Sequence, residues 1–164
     1  VKSRDIILGI DPGSLRTGFG IIDCSRKPFS HVTHGTIILN KNLSLSERLR
    51  DLALDLATII DKYRPNRAVV EDVFLFNNPR SALILGQARG ASLAILGLRG
   101  VPVESLSATR IKSLIAGHGQ AKKFQIAHMV SLALNIEIPQ SKDSSDALAV
   151  ALALGHTNLL GSKS

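Results

Sequence analysis

Apolar positions along the chain fall into two kinds of pattern. Ile6-Ile7-Leu8-Gly9-Ile10 is short and continuous and is bounded by Asp11-Pro12-Gly13, as for a buried strand ending in a turn. Gly18 to Asp23 resumes after a short gap, which predicts a hairpin, and His31 to Leu39 reads as a third strand rich in Val, Thr and Ile. The period then changes. From Leu45 to Tyr63, residues Leu45, Leu49, Leu52, Leu56 and Ile59/Ile60 share one face, with Ser44 or Ser46 as N-cap and Pro65 as the stop. Arg67 to Glu71 is another buried strand, Pro79 to Leu98 a long helix with Pro79 in its first turn, and Val101 to Glu104 a short strand. Ser107 to Ala116, Lys123 to Leu134 and Asp143 to Leu154 read as helices. A meander of strands followed by β-α-β units predicts one α/β domain over residues 1–164, a mixed sheet flanked by helices.

Composition narrows the setting. The chain has 164 residues with 45% hydrophobic content, enough for one domain with a sizeable core and too apolar for a disordered chain. A single cysteine, Cys24, rules out an internal disulfide framework and suggests a reducing compartment. The longest apolar run, Ala147 to Leu154, is shorter than the ~20 residues of a spanning helix. The start shows no leader pattern, so a cytoplasmic protein without membrane association is expected. The net charge of +7 is unevenly placed. Between Phe76 and Lys123, Glu104 is the lone acid beside Arg80, Arg89, Arg99, Arg110, Lys112, Lys122 and Lys123. Such a basic stretch suits a solvated face or an anionic partner, nucleic acid first. Aromatic content of only 4% argues against gripping single strands by base stacking.

Chemistry concentrates in four acids. Asp11 and Glu71 each close a buried strand; if those strands are parallel neighbours, both carboxylates emerge at the edge where open α/β sheets build their sites. Asp143 and Asp146 have i, i+3 spacing at the start of an apolar helix and so lie on one face, where helix capping is the competing explanation. Gathered carboxylates repel, and a hard divalent cation with oxygen ligands resolves that conflict. Two such ions can drive in-line phosphoryl displacement. His118, His128 and Cys24 lack partners at ligand or catalytic spacing and read as ordinary surface or core residues.

Ile7-Leu8-Gly9-Ile10-Asp11-Pro12-Gly13-Ser14 with Thr17-Gly18, Val70-Glu71-Asp72-Val73-Phe74, Ser81 to Gly90, Lys122 to Val130 and Asp143-Ser144-Ser145-Asp146-Ala147-Leu148-Ala149 occur in that order over nearly the whole chain. This ordered set closely resembles the RuvC family of bacterial Holliday junction resolvases. The resemblance implies an RNase H-like fold and a homodimer that nicks four-way DNA junctions in pairs. It implies Mg²⁺, two ions per site, with Mn²⁺ as a substitute, held by Asp11, Glu71, Asp143 and Asp146. It implies Lys123 in the catalytic group and Lys112 facing the scissile strand, with Phe74 at bases near the junction centre. Lys122, Arg80 and Arg110 are the further expected DNA contacts. Ala82, Gly86, Arg89 and Gly90 on the second predicted helix are expected at the dimer interface, and the branch-migration complex (RuvA and RuvB) is an expected partner. Asp72 is more acidic than the family pattern leads one to expect. The rival readings are a junction-binding protein without catalysis, an RNase H-like nuclease acting on RNA, and a kinase- or actin-like phosphate loop at Asp11-Pro12-Gly13.

Overall fold

A computed structural model describes residues 4–73 and 78–161, with side chains to 157; Phe74 and Phe76 therefore lie outside the described residues. The element order is β1 (Ile6–Asp11), β2 (Arg16–Asp23), β3 (Ser30–Ile38), α1 (Leu45–Tyr63), β4 (Arg67–Glu71), α2 (Pro79–Leu98), β5 (Val103–Leu106), α3 (Ala108–Ala116), α4 (Lys123–Leu134) and α5 (Lys142–Gly161). The five strands form one mixed sheet in the order β3-β2-β1-β4-β5. β1, β2 and β3 pair antiparallel, while β4 lies parallel to β1 and β5 parallel to β4. This is the mixed, helix-flanked sheet expected from the sequence.

Strand parity assigns side chains to the two faces. Leu8 and Ile10 of β1 and Ala68 and Val70 of β4 join the core that also holds Leu52, Leu56 and Ile60 of α1 and Leu96 of α2. Ile7 and Val69 point the other way, into a second core with α3, α4 and the fully buried run Ala147–Leu154 of α5. A strand alternates sides with period two. Asp11 and Glu71 therefore share the α5 face with Ile7 and Val69.

The sequence expectation misplaced the bounds of several elements, β2 among them, which begins at Arg16 rather than Gly18. β5 runs from Val103 to Leu106, two residues later than expected, because Gly100 takes a positive φ of 67° and Pro102 lacks an N–H to donate into the sheet. α5 continues past Leu154 to Gly161. The N-cap alternative at α1 resolves to Ser44, whose hydroxyl accepts from Glu47 N–H while Glu47 accepts from Ser44 N–H. Arg64, in the left-handed region ahead of Pro65, closes that helix.

α2 also differs from the expectation. Although Ala147–Leu154 is the longest uninterrupted apolar run, α2 is apolar enough over 18 residues to cross a membrane by length and composition. Its middle carries Arg89 in an ion pair with Asp72, and it packs on α1 and β4, as does a sheet-flanking helix in a globular domain. Its outer face is exposed: Leu83 is 64% and Leu98 79% accessible, and a Cβ at Gly86, Gly90 or Gly97 would meet no other atom within 4 Å.

Candidate active site

The register brings Ile10 of β1 beside Val70 of β4, so Asp11 and Glu71, the next residue on each strand, emerge side by side. Below Asp11 the turn is fastened by Thr17. Its fully buried hydroxyl donates to Gly13 O at 2.9 Å and accepts from Gly13 N–H at 3.1 Å.

α5 delivers the other two acids. The helix can lie almost on the sheet because β1 and β2 present glycines to it. A Cβ on Gly9 would overlap Ala147 O, one on Gly18 would overlap Asp143 O, and one on Gly20 would sit 2.8 Å from Leu148. Capping does not account for the paired acids, since Ser141 precedes the helix and its hydroxyl accepts from Ser144 N–H at 3.5 Å. Thr36 Oγ1 lies 2.7 Å from Ser141 Oγ and ties this helix start to the edge strand β3.

Asp11, Glu71, Asp146, Lys112 and Lys123 line one cavity of about 320 Å³, walled by Pro12, Val73, Leu85, Ile111, Ile126 and Val150. Burial, then Glu71 and Asp146, push the Asp11 carboxyl up to about 7; Lys123 opposes and Asp143 adds slightly. Burial also raises Glu71, aided by Asp146 and opposed by Lys123, by a hydrogen bond from Asp11 and by Lys112. Two neighbouring acids cannot both ionise cheaply in such a place, so both carboxyls resist losing their protons. Lys123 Nζ donates to Asp146 Oδ2 at 2.9 Å, a bond that raises the lysine's own pKa.

Asp143 stands next to this group without lining the cavity, and Arg16 Nε donates to its Oδ2 at 2.7 Å. Among the described residues, no three acid, histidine or cysteine side chains are already gathered as a ligand set. Asp143 and Asp146 are instead held in ion pairs with Arg16 and Lys123. The donor chemistry nevertheless fits a hard cation. The acidic side chains offer carboxylate oxygens, and the crowding that raises Asp11 and Glu71 is negative charge that a cation would neutralise.

Of the other expected DNA contacts, Lys122 is exposed at the start of α4 beside Lys123, while Arg80 and Arg110 are exposed and do not line the cavity. Phe74 lies outside the described residues. Ala82, Gly86 and Gly90 lie on the outer side of α2, while Arg89 makes contacts within its own chain. Its guanidinium turns into its own chain, toward Glu71 O, Asp72 and Ser105, because α2 crosses beside the end of β4. Sequence reasoning missed Arg16 and the glycines under α5. The signal for both was positional, since Gly18 lies opposite Asp11 and Arg16 lies two residues before it on the same strand.

Comparison with known proteins agrees with this geometry. Residues 7–156 match the family model described as crossover junction endodeoxyribonuclease RuvC. The RuvC of Xylella fastidiosa (strain 9a5c) is 44% identical over 157 residues, covering 93% of this chain and 88% of the relative. That of Stenotrophomonas maltophilia (strain R551-3) is 45% identical over 151 residues, covering 92% and 87%. Thermus thermophilus RuvC in complex with a Holliday junction substrate superposes with a TM-score of 0.90 at 28% identity, covering 96% of both chains. The yeast mitochondrial Holliday junction resolvase Ydc2 shares the fold, with a TM-score of 0.67 at 15% identity over 92% of this chain and 77% of its own.

Proposed function

The chain belongs to the RuvC family of crossover junction endodeoxyribonucleases, and from that premise we propose that its acidic cavity cuts four-way DNA junctions. The observation that carries this reading is the meeting of Asp11, Glu71 and Asp146 with Lys112 and Lys123 in one cavity at the carboxyl edge of the sheet. The four acids, Asp143 included, are the residues that would hold the divalent cations, which we assign as two Mg²⁺ ions with Mn²⁺ as a substitute. When bound, such cations polarise the scissile phosphate and make a water nucleophilic near neutral pH.

The chain's own residues do the rest. Asp11 and Glu71 project from adjacent strands of a rigid sheet, so their separation is fixed before substrate arrives. Lys123 holds Asp146 from one side and leaves its ammonium in the cavity, where negative charge grows on the phosphate oxygens during displacement. Lys112 is placed to hold the backbone of the strand being cut. Water oxygen bonds to phosphorus as the bond from phosphorus to the 3′ oxygen breaks; the products are a 5′-phosphate and a 3′-hydroxyl.

Resolution needs two nicks, and the exposed outer side of α2 supports a second copy as the source of the second site. Gly86 and Gly90 leave room for another backbone, and Leu83 offers apolar area beside them. Family membership also supports docking at the same junction with the branch-migration complex of RuvA and RuvB, in the cytoplasm where that DNA lies. The reading is tested by incubating the protein with a four-way junction, a linear duplex and an RNA–DNA hybrid, each with and without Mg²⁺. Cutting confined to the junction with Mg²⁺ is expected. Equal cutting of the duplex or hybrid defeats the reading, and binding without cutting at any cation concentration favours a junction-binding protein.

A further inference from the structure

Asp72 follows Glu71 directly and lies on the wall of the cavity. A further carboxylate there adds to charge that already crowds Asp11 and Glu71, and it faces the approach of a polyanion. It does not stand alone. Arg89, midway along α2, donates from Nη2 to Asp72 Oδ1 at 2.8 Å and to Ser105 Oγ on β5 at 2.6 Å. Its Nε donates to the main-chain oxygen of Glu71 at 3.2 Å. On the other side, Asp72 N–H donates to Leu106 O at 3.0 Å. The peptide between Glu71 and Asp72 is thus held at its carbonyl by α2 and at its N–H by β5. β4 ends at Glu71, so beyond its last pairing with Leu106 the chain leaves the sheet, and Arg89 is the clamp on the carbonyl side of that peptide.

Only a guanidinium has this reach and shape. Its planar fork bonds two acceptors along one edge, while a lysine ammonium offers a point charge to one or two. The Arg89 side chain is 21% accessible and that of Asp72 38%, so the guanidinium is the more enclosed partner and its three bonds, rather than burial of the pair, hold it in place.

We propose that Arg89 is a positioning residue for strand cutting: by holding the Glu71 carbonyl and the Asp72 carboxylate together, it fixes the main chain that aims Glu71 into the cavity. The inference rests on the reading of that cavity as the cutting site. It gives Asp72 a purpose as the counter-charge that keeps the guanidinium in place. It also links Glu71 to α2, the helix whose other side is exposed.

The test compares the parent with Arg89→Met, Arg89→Lys and Asp72→Asn on a four-way junction. Three readouts are taken: the single-turnover rate at saturating protein with Mg²⁺, the junction Kd in EDTA, and the unfolding midpoint. Displacement of a reacting group by about 1 Å costs on the order of 100-fold, so Arg89→Met is expected to slow the saturating rate by about 10- to 100-fold. Its junction Kd is expected to match the parent's. Arg89→Lys recovers part of the rate. Asp72→Asn, a nearly isosteric change at the surface that keeps the protein testable if Arg89→Met fails to fold, loses about fivefold through one weakened charge-assisted bond. Combining Asp72→Asn with Arg89→Met adds no further loss, because both act through one contact. Saturating rates equal to the parent's in Arg89→Met and Asp72→Asn overturn the proposal, as does a weaker Kd with an unchanged saturating rate. A parent that cuts no junction sinks the reading of the cavity instead, before any variant is compared.

Discussion

Gly18 of β2 lies directly under the main-chain carbonyl of Asp143, with no room for a Cβ between them. That contact sets how closely α5 approaches the sheet, and so where Asp143 and Asp146 stand relative to Asp11. Gly18→Ala must push α5 away or bend β2. Overpacking of this kind costs about 1–3 kcal/mol. Denaturant unfolding of Gly18→Ala is expected to show that loss, together with slower junction cutting. Gly97→Ala is the control, because its Cβ enters open space on a helix, where Ala is favoured over Gly by roughly 0.5–1 kcal/mol. Equal stability of Gly18→Ala and the parent contradicts the close approach.

The Asp11 carboxyl supplies a pH signature. Its folded value of about 7 lies above the ordinary 3.8, so the folded state holds the proton more tightly than the unfolded chain. That contribution to stability is whole below about pH 4 and is lost as pH rises to about 7, by at most about 1.4 kcal/mol per pH unit for one group. In EDTA, the parent is expected to lose stability between pH 5 and pH 8, and Asp11→Asn to lose less. Mg²⁺ at pH 8 is expected to restore the parent, since a ligand that binds the folded state stabilises it. Parallel pH curves for parent and variant contradict the raised Asp11 carboxyl.

Much of this site could be read along the chain. Asp11 and Glu71 each close an apolar strand, and their shared face follows from the register once β1 and β4 are known to be parallel neighbours. Asp143 and Asp146 announced themselves by spacing. What sequence could not carry was the pairing state. Arg16 lies far from Asp143 in the chain yet bonds it, and helix periodicity does not say that Arg89 reaches back to Asp72. Ser141, rather than either acid, caps α5, a choice settled by the hydroxyl's position beside Ser144 N–H and Thr36. The glycines under α5 were quoted within motifs, but their purpose depends on a helix that arrives more than a hundred residues later.

The outer side of α2 gives a separate test of assembly. Gly90→Leu places a side chain into space that is empty in the single chain, so the monomer is expected to fold at least as well as the parent. A second backbone packed there has no room for it. Sedimentation is expected to show a dimer for the parent and a shift toward monomer for the variant, with fewer paired nicks on a cruciform. A dimer of undiminished affinity in Gly90→Leu places the interface elsewhere.

The central claim is that the cavity around Asp11 is where junction DNA is cut, and Asp11→Asn measures it most directly. The change keeps the shape of the side chain and removes the negative charge at the centre of the acidic group. With Mg²⁺ present, the variant is expected to bind a four-way junction as tightly as the parent and to leave it uncut. Cleavage of that junction by Asp11→Asn at the parent's rate would contradict the account.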